Sequence, residues 1–166
     1  MGQWLSWIKS NEKELLTILD NLAKKAVETS EAVVVLFEDL SNVEQAAKVH
    51  NVEPGQIVKT IALVLDKPIL LMTAGDVKID NKKYKDFFKK KAKMLSADDT
   101  LTCTTHPIGG VCPFGLPVKI DIFGDKSLIA YDLVIPAAGS RNSSVKIQRK
   151  RLFEMTKAVI VDVTKK

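Results

Sequence analysis

The apolar positions of this chain switch repeatedly between two periods, and each switch marks an element. Across residues 11–29, Asn11 and Glu14 stand in capping positions and Leu15, Ile18, Leu19, Leu22 and Ala26 follow at helical spacing, which predicts one amphipathic helix. The run AVVVLFE, residues 32–38, reads as a strand by its β-branched composition. SNVEQAAKVHN then opens with Ser41 and Glu44 as a capping box and predicts a short helix that stops before Pro54. Next come IVKTIALVL and PILLMTA, two strands about a short turn. In the first of these, Ile57, Ile61, Leu63 and Leu65 alternate with Val58, Ala62 and Val64, so neither face is polar and the strand should be covered on both sides. Lys59 breaks that pattern. An ammonium there must reach water from the strand's open end, find an anionic partner, or await a ligand that brings one.

Beyond this pair, DNKKYKDFFKKK predicts a helix with Tyr84, Phe87 and Phe88 on its buried side. Ser96 and Asp99 form another capping box, for a short helix ending near Thr104. A loop rich in glycine and proline, THPIGGVCPFGLP, leads to the strand VKIDIF, an acidic turn at Asp125 and the strand LIAYDLVIPAA. The chain closes with a loop into a short strand (GSRNSSVKIQ), the helix KRLFEMT and a last strand, AVIVDV. Most strand pairs are joined by links too short for parallel crossovers. The fold class expected is therefore α+β: a single domain with a mixed, largely antiparallel sheet flanked by helices, over residues 31–166, with residues 1–30 as an N-terminal helical extension.

Composition adds a direction. A chain of 166 residues with 46% hydrophobic content suits one domain with a sizeable core. The formal charge of +5 is unevenly placed: eight lysines lie between Lys78 and Lys93 against Asp80 and Asp86, and five basic residues lie between Arg141 and Arg151 with no acid. Two such clusters suit a polyanion such as RNA; the competing reading is a solvated helix face. Two cysteines cannot frame a disulfide scaffold, and the opening MGQWLSWIKSNEKELL lacks a basic segment followed by a long apolar one, so a cytoplasmic, unprocessed protein is expected. No apolar run approaches the roughly 18 residues of a membrane span, so no membrane partner is expected.

The segment HPIGGVCPFG, residues 106–115, is the most informative for chemistry. Its backbone is permissive at Gly109, Gly110 and Gly115 and rigid at Pro107 and Pro113, so its N–H groups can turn toward a carbonyl oxygen or oxyanion. A simple tight turn would have the same composition. Neither G-x-G-x-x-G nor G-K-[ST] occurs, which argues against dinucleotide binding and nucleotide hydrolysis. Cys112 invites a nucleophile reading with His106 or His50 as its base, and Cys103, His106 and Cys112 a zinc reading, but the C-x2-H-x5-C spacing fits no closed zinc site and lacks a fourth ligand. No metal and no cofactor is expected.

Four blocks, QIVKTIALVL, AGDVKIDNKKY, THPIGGVCPFGLPVKIDI and AAGSRNSSVKI, in this order and spacing, resemble the YbaK family of aminoacyl-tRNA deacylases, which includes the editing domain inserted in bacterial prolyl-tRNA synthetases. The likeness runs over about residues 37–163. It implies trans-editing: hydrolysis of the ester of a mischarged aminoacyl-tRNA, with Cys-tRNA or Ala-tRNA of the proline system as substrate and aminoacyl-tRNA and prolyl-tRNA synthetase as partners. The family's essential lysine falls on Lys59 as the catalytic residue, its G-x-x-x-P loop on residues 109–113, its late glycine on Gly139, and a pocket aromatic on Phe37. The implied substrate-binding set is Phe37, Thr60, His106, Gly109, Gly110, Val111, Cys112, Pro113, Gly139, Ser140 and Asn142. Lys82, Lys83, Lys89, Lys90 and Arg141 are the candidates for tRNA binding. Relatives acting on cysteinyl-tRNA carry an acidic residue near Lys146, which bears on amino-acid choice. A non-catalytic tRNA- or RNA-binding module on the same fold is the alternative.

Overall fold

Residues 33–35 and 42–166 are described by the structure, a computed structural model. The helix expected over residues 11–29, Ser41 and Phe37 lie outside these residues. Strands β1 (Val33–Val35), β2 (Ile57–Val64), β3 (Pro68–Ala74), β4 (Lys78–Ile79), β5 (Asp121–Asp125), β6 (Leu133–Pro136), β7 (Ser143–Val145), β8 (Ile147–Gln148), β9 (Val159–Val161) and β10 (Thr164–Lys165) are joined with helices α1 (Val43–His50), α2 (Asn81–Phe88), α3 (Ala97–Thr104) and α4 (Arg149–Thr156). The central sheet has the order β8-β6-β2-β3-β5-β9, and β1-β7 and β10-β4 form two small antiparallel pairs. The sheet is mixed as expected: β2 runs antiparallel to β3 and β6 to β8, whereas β2-β6, β3-β5 and β5-β9 are parallel.

The two-faced apolar pattern of β2 and β3 is matched by cover on both sides. Val58, Met72 and Ala74 pack with Cys112, Phe114, Val134 and Leu152, and Ala62 and Leu70 pack with Val111 and Ile120, so the 106–120 loop and α4 close this face. On the other face Leu63, Ile69 and Leu71 meet Tyr84 of α2 together with Val161 and Val163, and Ile57 meets Ala46 and Ala47 of α1. Fully burying each such aliphatic side chain contributes about 1.5–3 kcal/mol, which makes this strand pair the anchor of the fold.

Several local expectations are corrected. The cap of α1 is Asn42, whose side chain accepts from the N–H groups of Glu44 and Gln45. Phe87, expected on the buried side of α2, is 49% exposed, with its ring edge-on to Phe88 and Phe123; Tyr84 is fully buried. The acidic turn at Asp125 is present, with Asp125 capping the tight turn Lys126–Ala130, but its carboxylate is not solvated. It is buried at the end of β5 and accepts from the N–H groups of Ser127 (2.8 Å) and Val163 (2.9 Å) and from the Thr164 hydroxyl (2.7 Å), tying the chain's last strand to the sheet. Local acidity could not reveal partners nearly forty residues away. The segment LIAYDLVIPAA begins with a tight turn, Lys126–Ala130, and is a strand only at β6.

Candidate active site cleft

The sheet is interrupted along one edge of β2. β6 ends at Pro136, which has no N–H to extend a ladder, and pairs with β2 only at Ile57 and Val58. Farther on, the segment after α2 takes the same edge, where Met94 bridges Leu63, Leu95 N–H donates to the Ala62 carbonyl (3.0 Å) and Val64 N–H to that of Lys93 (2.9 Å). Between these seams a cleft of about 230 Å3 opens over Lys59, Thr60 and Ile61. Its remaining walls are mostly apolar: Val43 and Ala46 of α1, Met94, Leu95, Ile108, Val111, Ile135 and Ala137, with Gly109, Thr100, Ser143 and Ser144 adding polar groups.

Lys59 is half-buried, and its ammonium does not run out to solvent but donates to the carbonyl of Val77, in the turn after β3. Burial pushes its pKa down, Asp76 opposes that shift and Lys78 reinforces it. An ammonium has three donors, so two remain for a ligand. The adjacent Thr60 hydroxyl is buried and has no hydrogen-bond partner among the described residues.

The 109–113 loop is clasped to the segment after β6. Gly110 N–H closes a turn on the Pro107 carbonyl (2.9 Å), and Gly139 N–H donates to the Gly110 carbonyl (3.1 Å). A Cβ on Gly110 would lie 2.6 Å from the Ser140 carbonyl carbon, and one on Gly139, where φ is +98°, would lie 3.1 Å from the His106 ring. His106 is the peg beneath this clasp. It is 4% exposed, its backbone N–H donates to the Thr104 hydroxyl (3.1 Å), and its ring Nδ1 receives a long 3.5 Å bond from Cys112 N–H. Burial lowers its pKa from 6.5 to about 4, so the ring is neutral at physiological pH.

Of the residues expected at the site, Lys59, Thr60, Gly109 and Val111 line the cleft. Gly110, Gly139 and Ser140 form the clasp behind it, and Pro113 is buried in the same loop. His106 and Cys112 sit in the interior: the thiol is fully buried, 3.8 Å from either His106 nitrogen, and donates to the Phe114 carbonyl (3.6 Å). Asn142 is exposed and accepts from the Ser140 hydroxyl (2.8 Å), which also meets the Ser143 hydroxyl (2.6 Å). Among the described residues no group of three His, Cys, Asp or Glu side chains is placed to hold a metal ion.

The α2 lysines stand elsewhere. Their helix packs on the face of Leu63 and Leu71, Lys83 pairs with Asp162 (2.7 Å), Lys90 pairs with Asp66, Lys89 donates to the Asp86 carbonyl (2.6 Å), and Lys82 is exposed. Arg141 is exposed in the loop that leads from the clasp to the cleft-lining Ser143. Sequence reasoning missed Ser143 and Ser144. The Ser144 hydroxyl meets His50 Nε2 at 2.7 Å, a contact between residues 94 apart in the chain; the only sequence signal was the pair of serines opening a strand.

Residues 38–155 match the family model described as the aminoacyl-tRNA editing domain. The chain belongs to that family. The protein YwhH of Bacillus subtilis (strain 168) is 44% identical to this editing domain over 136 residues, 80% of this chain and 87% of that one. A proline–tRNA ligase of Endomicrobium trichonymphae is 26% identical over 134 residues; the match covers 79% of this chain but 23% of the ligase. The solved structure of a protein proposed to be a trans-editing enzyme for prolyl tRNA synthetase superposes with a TM-score of 0.79 at 25% identity, covering 87% of this chain and 95% of that one. The fold is thus the editing-domain fold, and among the described residues no helix is long and apolar enough to cross a membrane.

Proposed function

We propose that this editing domain acts in trans as an aminoacyl-tRNA deacylase, hydrolysing the ester that joins a wrongly attached amino acid to the 3′ end of a tRNA. The observation that carries the reading is an unsatisfied Thr60 hydroxyl in a small apolar cleft walled by the 109–113 loop, next to Lys59, whose backbone position lines the same cleft and whose ammonium is partly desolvated. Water adds to the ester carbonyl carbon, the bond to the ribose oxygen breaks, that oxygen leaves with a proton, and the amino acid departs as its carboxylate. Lys59 stabilises a terminal phosphate or the developing oxyanion with the donors not engaged by Val77, and the amides of the 109–113 loop orient the carbonyl. An aminoacyl ester is already activated, so positioning supplies most of what the reaction needs and no protein nucleophile is required.

A cleft of about 230 Å3 with apolar walls suits a small side chain, which supports alanyl or cysteinyl esters of the proline system. Likeness to a segment of proline–tRNA ligase supports prolyl-tRNA synthetase as a docking partner. The test is single-turnover release of amino acid from alanyl-, cysteinyl-, seryl- and prolyl-tRNA. Faster release of alanine or cysteine than of proline is expected; tRNA binding with no acceleration of any ester above its spontaneous rate would leave only a binding module.

A further inference from the structure

Resting on the deacylase reading, a more specific inference follows from the gap in the β2 edge. Successive strand residues send their backbone N–H and C=O groups to opposite edges. The Ala62 carbonyl and Val64 N–H both serve the 93–95 segment, so Thr60 and Val58 face that same edge. Val58 is taken by β6 and Ala62 by Leu95. Thr60, between them, has no ladder partner on this edge among the described residues, and its hydroxyl is buried without a partner in the same cleft. Three polar groups of one residue therefore converge on a small apolar space, an arrangement that costs stability unless a ligand completes it.

An aminoacyl ester presents N–H donors and a carbonyl acceptor across a single Cα, the same pair that one residue of a β-strand presents. We propose that Thr60 reads the aminoacyl group as a one-residue strand. Its carbonyl accepts one N–H of the substrate's α-amino group, its hydroxyl accepts the other, and its N–H donates to the ester carbonyl. Lys59 leaves the strand on the opposite face, which separates its charge from the α-amino group and leaves it for the phosphate or oxyanion. The site then requires an α-nitrogen of its substrate, whatever the amino-acid side chain.

Two uncleavable probes test this, 3′-alanylamino-3′-deoxyadenosine and its 3′-propionylamino counterpart, which lacks only the α-nitrogen. The alanyl probe is expected to bind at least about tenfold tighter and to shift the Thr60 amide resonance, since two hydrogen bonds in a sheltered site are worth at least that factor. Thr60→Val, which keeps the side-chain shape, is expected to weaken the alanyl probe and leave the propionyl probe unchanged, while raising the melting temperature by removing an unsatisfied hydroxyl. Equal binding of the two probes by the wild type, or an equal loss for both in Thr60→Val, overturns the inference. The two measurements on wild-type protein decide even if the variant fails to fold. Deacylation of alanyl-tRNA is measured in parallel: turnover with no preference between probes sinks only the Thr60 assignment, whereas a strong preference without turnover sinks the deacylase reading and keeps Thr60 as a recognition residue.

Discussion

Lys59 and the lysines of α2 carry the same ammonium in opposite circumstances. Lys59 sits on a strand buried by apolar residues on both faces, its pKa lowered by burial, its head turned to the Val77 carbonyl. The lysines on and just after α2 are solvated, where Lys83 and Lys90 are held by Asp162 and Asp66 and Lys83 has its pKa raised by its hydrogen bond to Asp162. A charge in water beside an opposite charge contributes little and is screened; a charge moved partly out of water is costly and responds strongly to an arriving anion. The densest basic run in the chain is therefore less informative than one isolated lysine.

The sharpest way to break this contrast is Lys59→Ala. Single-turnover deacylation is expected to fall at least about a hundredfold, the scale of removing one preorganised electrostatic interaction. The melting temperature should move little, because removing a half-desolvated cation offsets the donor taken from the Val77 carbonyl. A folded Lys59→Ala protein with a near-normal rate would make Lys59 no different from the surface lysines.

Gly110→Ala tests whether the cleft depends on its clasp rather than on charge alone. The added methyl would meet the Ser140 backbone at 2.6–2.9 Å, so the two loops must part. A rate loss of about tenfold and a melting temperature lower by a few degrees are expected from a displacement of this kind. Unchanged kinetics would show that the loop merely covers the core.

His106 extends the comparison to a second buried titratable group. Its folded pKa of about 4 lies below its ordinary 6.5, so the unfolded chain binds the proton more tightly. Its contribution to stability is complete above pH 6.5 and is lost as pH falls toward about 4, an interval worth roughly 3 kcal/mol. Denaturant titrations over that range should show wild type losing more stability than His106→Gln. Parallel curves would mean the ring is hydrated or charged in the folded protein.

The smallest effect is expected on α2. Replacing Lys82 and Lys89 by glutamine should weaken tRNA binding slightly and flatten its salt dependence by about 0.9 in log–log slope for each phosphate no longer neutralised, with hydrolysis at saturating substrate unchanged. Replacing Lys83 and Lys90 should do less, since both are already engaged by carboxylates. A large drop from Lys83 and Lys90 would reverse the contrast and place tRNA on the α2 face.

Local patterns carried much of this protein. The alternation of β2 and β3, the Ser96 cap of α3 and the break at residues 106–120 were legible because strand period, cap chemistry and backbone freedom act within a few residues. Phe87 failed because two adjacent aromatics on one helix cannot both face inward, and only the sheet beneath decides which does. The turn at Asp125 was legible but the burial of its carboxylate was not, because two of its partners come from residues 163 and 164.

Sequence by itself determined the order and type of most elements, the single domain with its mixed sheet, the four blocks that resemble the YbaK family, and Lys59 as the residue out of place. Each of these is a local or linear property. The tertiary structure alone decided where the cleft lies. Pro136 of β6 and Leu95 must approach one edge of β2 from well-separated parts of the chain before Thr60 is left between them, and Gly139 must meet Gly110 before His106 has anything to support. Ladder ends and backbone approaches of this kind depend on partners tens of residues apart, and their spacing in sequence says nothing of their distance in space.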